Sequence, residues 1–395
     1  MMQPQTDHAP LRGVKVLELA RILAGPWAGQ TLADLGADVV KVESPEGDDT
    51  RTWGPPFVPG TGETDLSAAY FHACNRGKRS IVADFTTEQG RELVRRLARS
   101  ADVVIENFKV GGLRKYGLDA ASLQEINPRL VIASITGFGQ DGPYASRAGY
   151  DFLIQGMGGA MSVTGDPAGQ PTKTGYAVAD LFSGLYAVIG ILAALRRRDE
   201  TGQGGWVDCS LLDSQVGILA NQALNYLVSG VPPTRLGNAH PNVVPYEVFP
   251  TSDGHVIIAV GNDGQFRRLC DAIGLADIGQ APEFATNKLR VENRAALIAA
   301  LTKRTADFER DALLERLEGA TVPAGPINTI ADVFGDPQVR HRRMHTDLLH
   351  PAAAAGSVPA LRTPIVLDGQ PMMHPDRSPM LGEHDAEVRG DPDWL

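Results

Sequence analysis

The chain is poor in cysteine and in positive charge, and both shortages narrow what it can be. Its cysteines, Cys74, Cys209 and Cys270, stand far apart, which excludes a disulfide framework and offers no closely spaced metal-binding pair. The 37 Lys and Arg are outnumbered by 47 Asp and Glu, for a net charge of -10. That balance gives no support to nucleic-acid or membrane-surface binding, although a polyanionic small molecule needs only a local basic pocket. Met1 to Pro10 is polar and lacks the apolar core of a signal peptide, so a cytoplasmic location is expected. The apolar run that ends at Leu195 is read as too short to cross a membrane, and Arg196, Arg197 and Arg198 close it. No internal repeat or low-complexity tract is present.

What is there describes a folded α/β protein. Hydrophobic residues make up 43% and charged residues 21%, enough for a substantial core and against disorder. At 395 residues the chain exceeds one typical domain, so two are expected. The central stretch runs from Arg147 through Ala148-Gly149-Tyr150-Asp151 and Ala179-Asp180 to Arg198. Its apolar part reads as a buried helix whose first turn follows Asp180, with Asp180 as N-cap. A carboxylate there is also a candidate nucleophile, and the helix dipole would keep it ionised even when buried.

Taken in order, Val14 to Leu19 and Asp38 to Glu43 read as strands flanking a helix with Pro26 at its first position. Glu43 sits where a dinucleotide fold places its ribose-binding acid. The first βα turn, Ala20 to Pro26, carries one glycine rather than three, so that fingerprint is absent. Ser44 to Ala73 is a long irregular segment, the kind that is usually functional. Further strands are expected at Ser80 to Phe85, Ala101 to Glu106, Arg129 to Thr136 and Trp206 to Cys209, with a Thr86…Gln89 capping box after the first of these. Strands alternating with helices predict a largely parallel sheet. Gly137 to Gly142 matches G-x-G-x-x-G, but Pro143 and Gly149 leave no room for a helix on its third glycine. A helix is expected from Leu211 to Val228. Val244 to Thr251 and His255 to Val260 then form a hairpin in a smaller α+β domain, with helices at Gln265 to Ile273, Asn293 to Arg304 and Phe308 to Glu318. The expected plan is a large domain over residues 1–229, a small one over 230–325, and a segment 326–395 that returns to the first.

These residues together resemble the class III CoA-transferases, the family of formyl-CoA:oxalate, carnitine and bile-acid CoA-transferases. The likeness is carried in family order by Arg21 to Pro26, Leu35 to Glu43, Asn75 to Ser80, Glu106-Asn107-Phe108, Gly149-Tyr150-Asp151, Ala179-Asp180 and Leu381 to His384. Arg51 to Phe57, Arg147 to Asp151 and Asn242 to Tyr246 bring it nearest to the succinyl-CoA:dicarboxylate branch, which includes the glutarate enzymes.

The resemblance implies a Rossmann-like large domain and a smaller α+β domain in a ring-shaped subunit, two of which interlock as a homodimer. It implies coenzyme A, bound as an acyl-CoA substrate with no metal, and small carboxylic acids as the other reactants. Asp180 aligns with the family nucleophile. A free acid cannot take CoA directly, because an oxide would have to leave. Attack by the aspartate retains the activation as an anhydride and then as an aspartyl-CoA thioester. Leu23, Ala24, Ala83, Asp84, Asn107, Phe108, Lys109, Lys115 and Ala148, Gly149, Tyr150, Asp151 match CoA contacts. Trp53, Tyr70 and Tyr150 match residues near the acyl group. The plainer reading makes these three buried aromatics, the two lysines solvated surface charges, and Asn107 a turn residue.

Departures from the family set the alternatives. Leu23 replaces the glutamine of the oxalate enzymes, which weighs against formyl-CoA:oxalate chemistry. Ser44 replaces an arginine for CoA phosphate, with Arg51, Lys78 or Arg79 as substitutes. The mobile glycine loop is reduced to Gly237 to Pro241. Tyr150 stands where the 2-methylacyl-CoA racemases carry a histidine, so racemisation loses an acid/base group. A nicotinamide-dependent oxidoreductase and a non-enzymatic CoA-binding protein are the readings from other classes. A dicarboxylate acceptor would need a cation for its far carboxylate, with Arg51, Arg235 and His240 as candidates.

Overall fold

The computed structural model describes residues 9–394, so most of the polar N-terminal segment read above for a signal sequence lies outside it. The chain divides into two compact units. One comprises Met1–Ala160, Lys173–Gly230 and Pro337–Leu395; the other comprises Met161–Thr172 and Val231–Asp336.

The larger unit is built on β1 (Lys15–Glu18), α1 (Ala24–Asp34), β2 (Asp38–Glu43), α2 (Ala69–Cys74), β3 (Lys78–Val82), α3 (Glu88–Ser100), β4 (Val103–Glu106), α4 (Ala120–Ile126) and β5 (Val131–Thr136). It continues through α5 (Asp151–Met157), α7 (Val178–Thr201), β6 (Gly205–Ser210), α8 (Leu211–Gly217) and α9 (Asn221–Ser229), while all but the first residue of the short α6 (Ala160–Val163) belongs to the smaller unit. Six parallel strands form one sheet in the order β3-β2-β1-β4-β5-β6, with Lys15 opposite Asp38 and Val16 opposite Val103. This is a doubly wound, Rossmann-like arrangement.

Because the sheet is covered on both faces, its inner strands are buried along their length, as the runs Val103-Val104-Ile105 and Val131 to Thr136 require. Successive residues feed different cores. Val16, Val103 and Ile105 pack with Ala28 and Leu32 of α1 and Ala187 and Ile191 of α7. Leu17 and Val104 pack with Leu93 and Leu97 of α3 and Leu123 of α4. The C-terminal residues close both layers, with Met372 in the first core and Val388 and Trp394 in the second.

α7 corrects two expectations. It begins at Val178, two residues before Asp180, and its N-cap, Ala177, makes no side-chain cap. It is also 24 residues long, and by length and composition alone it is apolar enough to cross a membrane. Here it lies against α1 and the sheet, with Ala187, Val188, Ile191 and Leu195 in the core and Arg198 paired to Asp102 at 2.7 Å.

Two further boundaries differ. The helix expected from Leu211 to Val228 breaks into α8 and α9, where Ala220 takes φ +45°. The cap of α3 is Thr87, whose side chain accepts from the Gly90 N–H, one residue later than the capping box placed it.

The smaller unit carries a three-stranded antiparallel sheet of β7 (Tyr246–Pro250), β8 (His255–Ala259) and β9 (Ala324–Pro326), in the order β7-β8-β9. The β7–β8 hairpin pairs Pro250 with His255 around the Thr251 to Gly254 turn. Phe249, Val256 and Ile258 pack there with Phe266, Leu269, Leu297, Leu301 and Leu313 from the surrounding helices.

Candidate active site

The strand order reverses between β1 and β4, so the loops leaving these strands diverge and open a crevice at the carboxyl edge of the sheet. A single side chain clamps the two loops. Asn107, directly after β4, accepts the Arg21 N–H at 3.0 Å and donates to the Arg21 carbonyl at 2.6 Å. Asn107 is therefore more than a turn residue. A third segment is brought in by a close backbone approach. Gly137 follows β5, and a Cβ on it would lie 2.7 Å from the Cα of Gly149, so glycine at both positions lets Ala148 to Asp151 lie against the sheet edge.

The resulting cavity is lined by Arg21 to Ala24, Asn107 to Val110, Ile135 to Gly137, Arg147 to Tyr150, Leu211 and Asp180. A neighbouring cavity is lined by residues at the ends of β1, β2 and β3 and just beyond them, among them Lys41, Ser44, Asp48, Ala83 and Asp84. Phe108 and Arg21 border both.

Asp180 lies in the first turn of α7 but does not cap it. That task falls to Asp151, the first residue of α5, whose Oδ1 accepts from the N–H groups of Ala179 at 2.8 Å and Asp180 at 3.4 Å. Its Oδ2 accepts from Gln155 Nε2 at 2.7 Å. Burial pushes the Asp180 carboxyl up to about 7, and the nearby Asp151 carboxylate adds to the shift. This reverses the expectation that the helix terminus would keep Asp180 fully ionised. Desolvation and a like charge together outweigh a dipole whose nearest N–H groups are already bonded to Asp151.

α7 sits close enough to α1 to bring Asp180 near the first turn of α1. Gly184, one turn beyond Asp180, would place a Cβ 2.6 Å from the Ala24 carbonyl oxygen. The first N–H groups of α1, at Leu23, Ala24 and Gly25, have no intrahelical acceptors and are available to an oxyanion. Tyr70, on α2, is pushed up to about 12, chiefly by burial and then by the Asp180 carboxylate. Its phenol stays protonated as a donor, and Trp53 packs edge-on against its ring at 5.4 Å. Trp53 and Tyr150 are exposed, 44% and 65%, so neither is the buried aromatic of the plainer reading.

The loop after β1 rests on a buried set of charges that sequence reasoning missed. Lys41 Nζ contacts Glu18 Oε1 at 3.1 Å and Asp48 Oδ2 at 2.9 Å; Lys78 Nζ lies 2.8 Å from Glu18 Oε2. Burial works against the charge on Lys41, but Glu18, Asp48 and Glu43 hold its pKa above the usual lysine range. Burial likewise opposes the charge on Asp48, yet Lys41 and the bonds from Thr50 hold its carboxyl low. Above this set Ile22 takes φ +74°, in the left-handed region. Nothing in a β-branched residue announces that conformation, which costs about 1–3 kcal/mol.

Several predicted cations are engaged elsewhere. Arg51 is bidentate to Glu43, at 2.8 and 2.7 Å, and also donates to Ser67 and the Pro379 carbonyl. Glu43 is thereby an ion-pair partner, not a free ribose acceptor. Lys78 is buried on Glu18, and Arg79 pairs with Asp38, Glu387 and Asp391, so neither replaces the arginine missing at Ser44. Arg235 donates to the carbonyls of Asp166 and Gly169 within the smaller unit. His240, also in that unit, accepts from the Asn242 N–H, and its pKa is lowered by partial burial and by Arg294.

Lys109, Lys115 and Arg147 are exposed. Lys109 and Arg147 line the Asp180 cavity, and among the described residues neither has a carboxylate partner. Arg147 stacks over Phe138 and Tyr144, and Lys115 over Tyr116. Asp84 is at the surface, and its carboxyl is held low by bonds from the Thr86 hydroxyl and N–H. Burial pushes the Cys74 thiol up to about 12, and all three cysteines are free and buried, so none offers a reactive thiolate here.

Known proteins resemble this chain over nearly its whole length. The model of CoA-transferase family III matches residues 11–385. A succinate–glutarate CoA-transferase of Agrobacterium fabrum is 57% identical over 96% of this chain and 94% of its own length. The human succinyl-CoA:glutarate CoA-transferase is 41% identical over 98% of this chain and 87% of its own. The crystal structure of a CAIB/BAIF family protein from Brucella suis superposes with a TM-score of 0.85 at 60% identity, covering 98% of this chain and 99% of that one.

Proposed function

The chain belongs to CoA-transferase family III and is a CoA-transferase, and on that premise we propose that it moves CoA from succinyl-CoA to a free dicarboxylate of roughly glutarate length. The observation that carries the mechanism is Asp180, a part-buried carboxylate with its pKa raised to about 7, facing a cavity that Lys109 and Arg147 line with no carboxylate partner among the described residues.

Ionised Asp180 attacks the thioester carbonyl, the C–S bond breaks, and CoA leaves as thiolate. The product is an aspartyl-succinyl anhydride. The thiolate then attacks the Asp180 acyl carbon of this anhydride, releasing succinate and leaving an aspartyl-CoA thioester. The acceptor carboxylate attacks that carbon, expels the thiolate and forms a second anhydride. Thiolate attack on the acceptor's acyl carbon yields the new acyl-CoA and regenerates Asp180. No net proton or electron is consumed. Each step exchanges one activated acyl bond for another.

A desolvated carboxylate of raised basicity suits the first attack, because burial removes the water that would otherwise blunt it. The N–H groups of Leu23 and Ala24 suit the oxyanion, and Tyr70, protonated, supplies a further donor. The larger unit serves as the CoA-binding and catalytic domain. Phe108, Lys109 and Ala148 to Tyr150 bind CoA beside Asp180, while Ala83 and Asp84 border the adjoining cavity and Lys115 offers a nearby cation.

We read the working species as the interlocked homodimer of the family. Its support is an exposed apolar face on α7, formed by Phe182, Leu185, Tyr186 and Ile189, of a kind that marks an interaction surface, with further exposed apolar residues on α9, Leu224, Leu227 and Val228. The deciding experiment incubates purified protein with succinyl-CoA and a panel of free acids and reads the new thioesters by mass spectrometry. Glutarate should lead oxalate and butyrate in kcat/KM by tenfold or more. An oxalate or butyrate preference of that size would overturn the dicarboxylate assignment.

A further inference from the structure

The loop joining β1 to α1 holds a shape that its own sequence does not favour. Ile22, at φ +74°, occupies a region that β-branched side chains seldom visit, and the next two residues, Leu23 and Ala24, line the cavity containing Asp180. The restraint comes from elsewhere in the fold. Both oxygens of Asp48 lie 3.3 Å from the Ile22 N–H that they accept. Thr50 fixes Asp48 Oδ1 through its N–H at 3.0 Å and its hydroxyl at 2.7 Å. Lys41 Nζ sits 2.9 Å from Asp48 Oδ2 and donates to the Ala20 carbonyl at 2.8 Å. One buried ion pair thus grips the loop on both sides of Arg21, and Asn107 grips Arg21 itself. A change of Ile22 to negative φ would swing everything after its Cα, including the Leu23 N–H.

We propose that Asp48 is a positioning residue for CoA transfer: by holding Ile22 in its left-handed conformation, it aims the first turn of α1 at the carboxylate of Asp180. The assignment rests on the reading of this chain as a CoA-transferase that reacts through Asp180. Asp48 does not line the Asp180 cavity, so its effect passes through Ile22 and Leu23. It does border the neighbouring cavity, and a direct contact with bound acyl-CoA there would affect binding rather than turnover.

The test measures kcat, KM for succinyl-CoA and thermal stability on the full chain, using the acid that the wild type turns over best. Asp48→Ala should lower kcat by roughly 100-fold, the scale of a small misplacement of reacting groups, with KM changed less than threefold. Adding Ile22→Gly should recover at least tenfold of that loss, because glycine adopts positive φ unaided. Should Asp48→Ala fail to fold because buried Lys41 loses one of its two carboxylate contacts, Lys41→Met with Asp48→Ala removes both charges together and should show the same loss and the same rescue. A folded Asp48 variant with kcat within threefold of wild type overturns the proposal. So does a loss confined to KM, or one that Ile22→Gly leaves unchanged. If the wild type transfers CoA from none of the acyl-CoAs supplied, the assigned reaction itself is wrong and the positioning role falls with it.

Discussion

Asp180 sits under two opposing demands, low pKa for ready ionisation and desolvation for reactivity, and the fold favours the second. Its removal should abolish transfer. Asp180→Ala is expected to lose at least 1,000-fold in kcat while still binding CoA, as measured by calorimetry beside the turnover assay. Since Asp151 provides the cap, the alanine variant should not suffer the N-cap loss that a capping role would predict. The raised pKa also has a stability consequence. The folded state holds the Asp180 proton more tightly than the unfolded chain, so this contribution is full below about pH 4 and is lost as pH rises through about 7. Asp180→Asn should therefore stabilise the protein at pH 8, by roughly 2–4 kcal/mol, with little change at pH 4. Urea titrations of both proteins at the two pH values check this. In turnover, kcat/KM should climb with pH through a midpoint near 7 and level off above it, because only ionised Asp180 attacks.

Helices α5 and α7 act as a pair, and their coupling can be separated from the chemistry. The Asp151 carboxylate caps α7 from the start of α5 and also raises the pKa of Asp180. Asp151→Ala removes both effects at once. The lost cap should cost roughly 0.5–2 kcal/mol, and the pH midpoint of kcat/KM should move to lower pH because a like charge is gone. A variant with reduced melting temperature but an unmoved midpoint would show that the two carboxylates do not communicate. The irregular segment between β2 and α2 is also more than a connector. It carries Asp48, Arg51 and Trp53, and Arg51 stacks over Phe71 of α2 at 3.7 Å.

For the whole molecule, the exposed apolar face of α7 predicts a species larger than one chain. Light scattering at micromolar concentration should return twice the 42.2 kDa of the chain, unchanged on tenfold dilution. A monomer mass there would remove the interlocked dimer from the proposal. Charged substitutions on that face, such as Ile189→Glu, should yield poorly soluble or aggregated chains, because the apolar surface loses its partner.

Local pattern determined a good deal of this protein. The alternation of apolar strands with helices determined a parallel α/β sheet, and β2 lies where its run of β-branched residues put it, Asp38–Glu43. The shortage of glycine in the first βα turn removed the dinucleotide reading, and motifs in order pointed to the family and to Asp180. These signals survive in sequence because each depends on residues a few positions apart. What only the tertiary structure decided depends on residues far apart in the chain. Arg51, Lys78 and Arg79 read as available cations until Glu43, Glu18 and Asp38 were found against them. Asp180 read as its own helix cap until Asp151, 29 residues earlier, took that place. The pKa of Asp180 and the φ of Ile22 follow the same rule. Each is set by groups that only the folded sheet edge brings together, because burial and the field of neighbouring charges are properties of space and not of sequence.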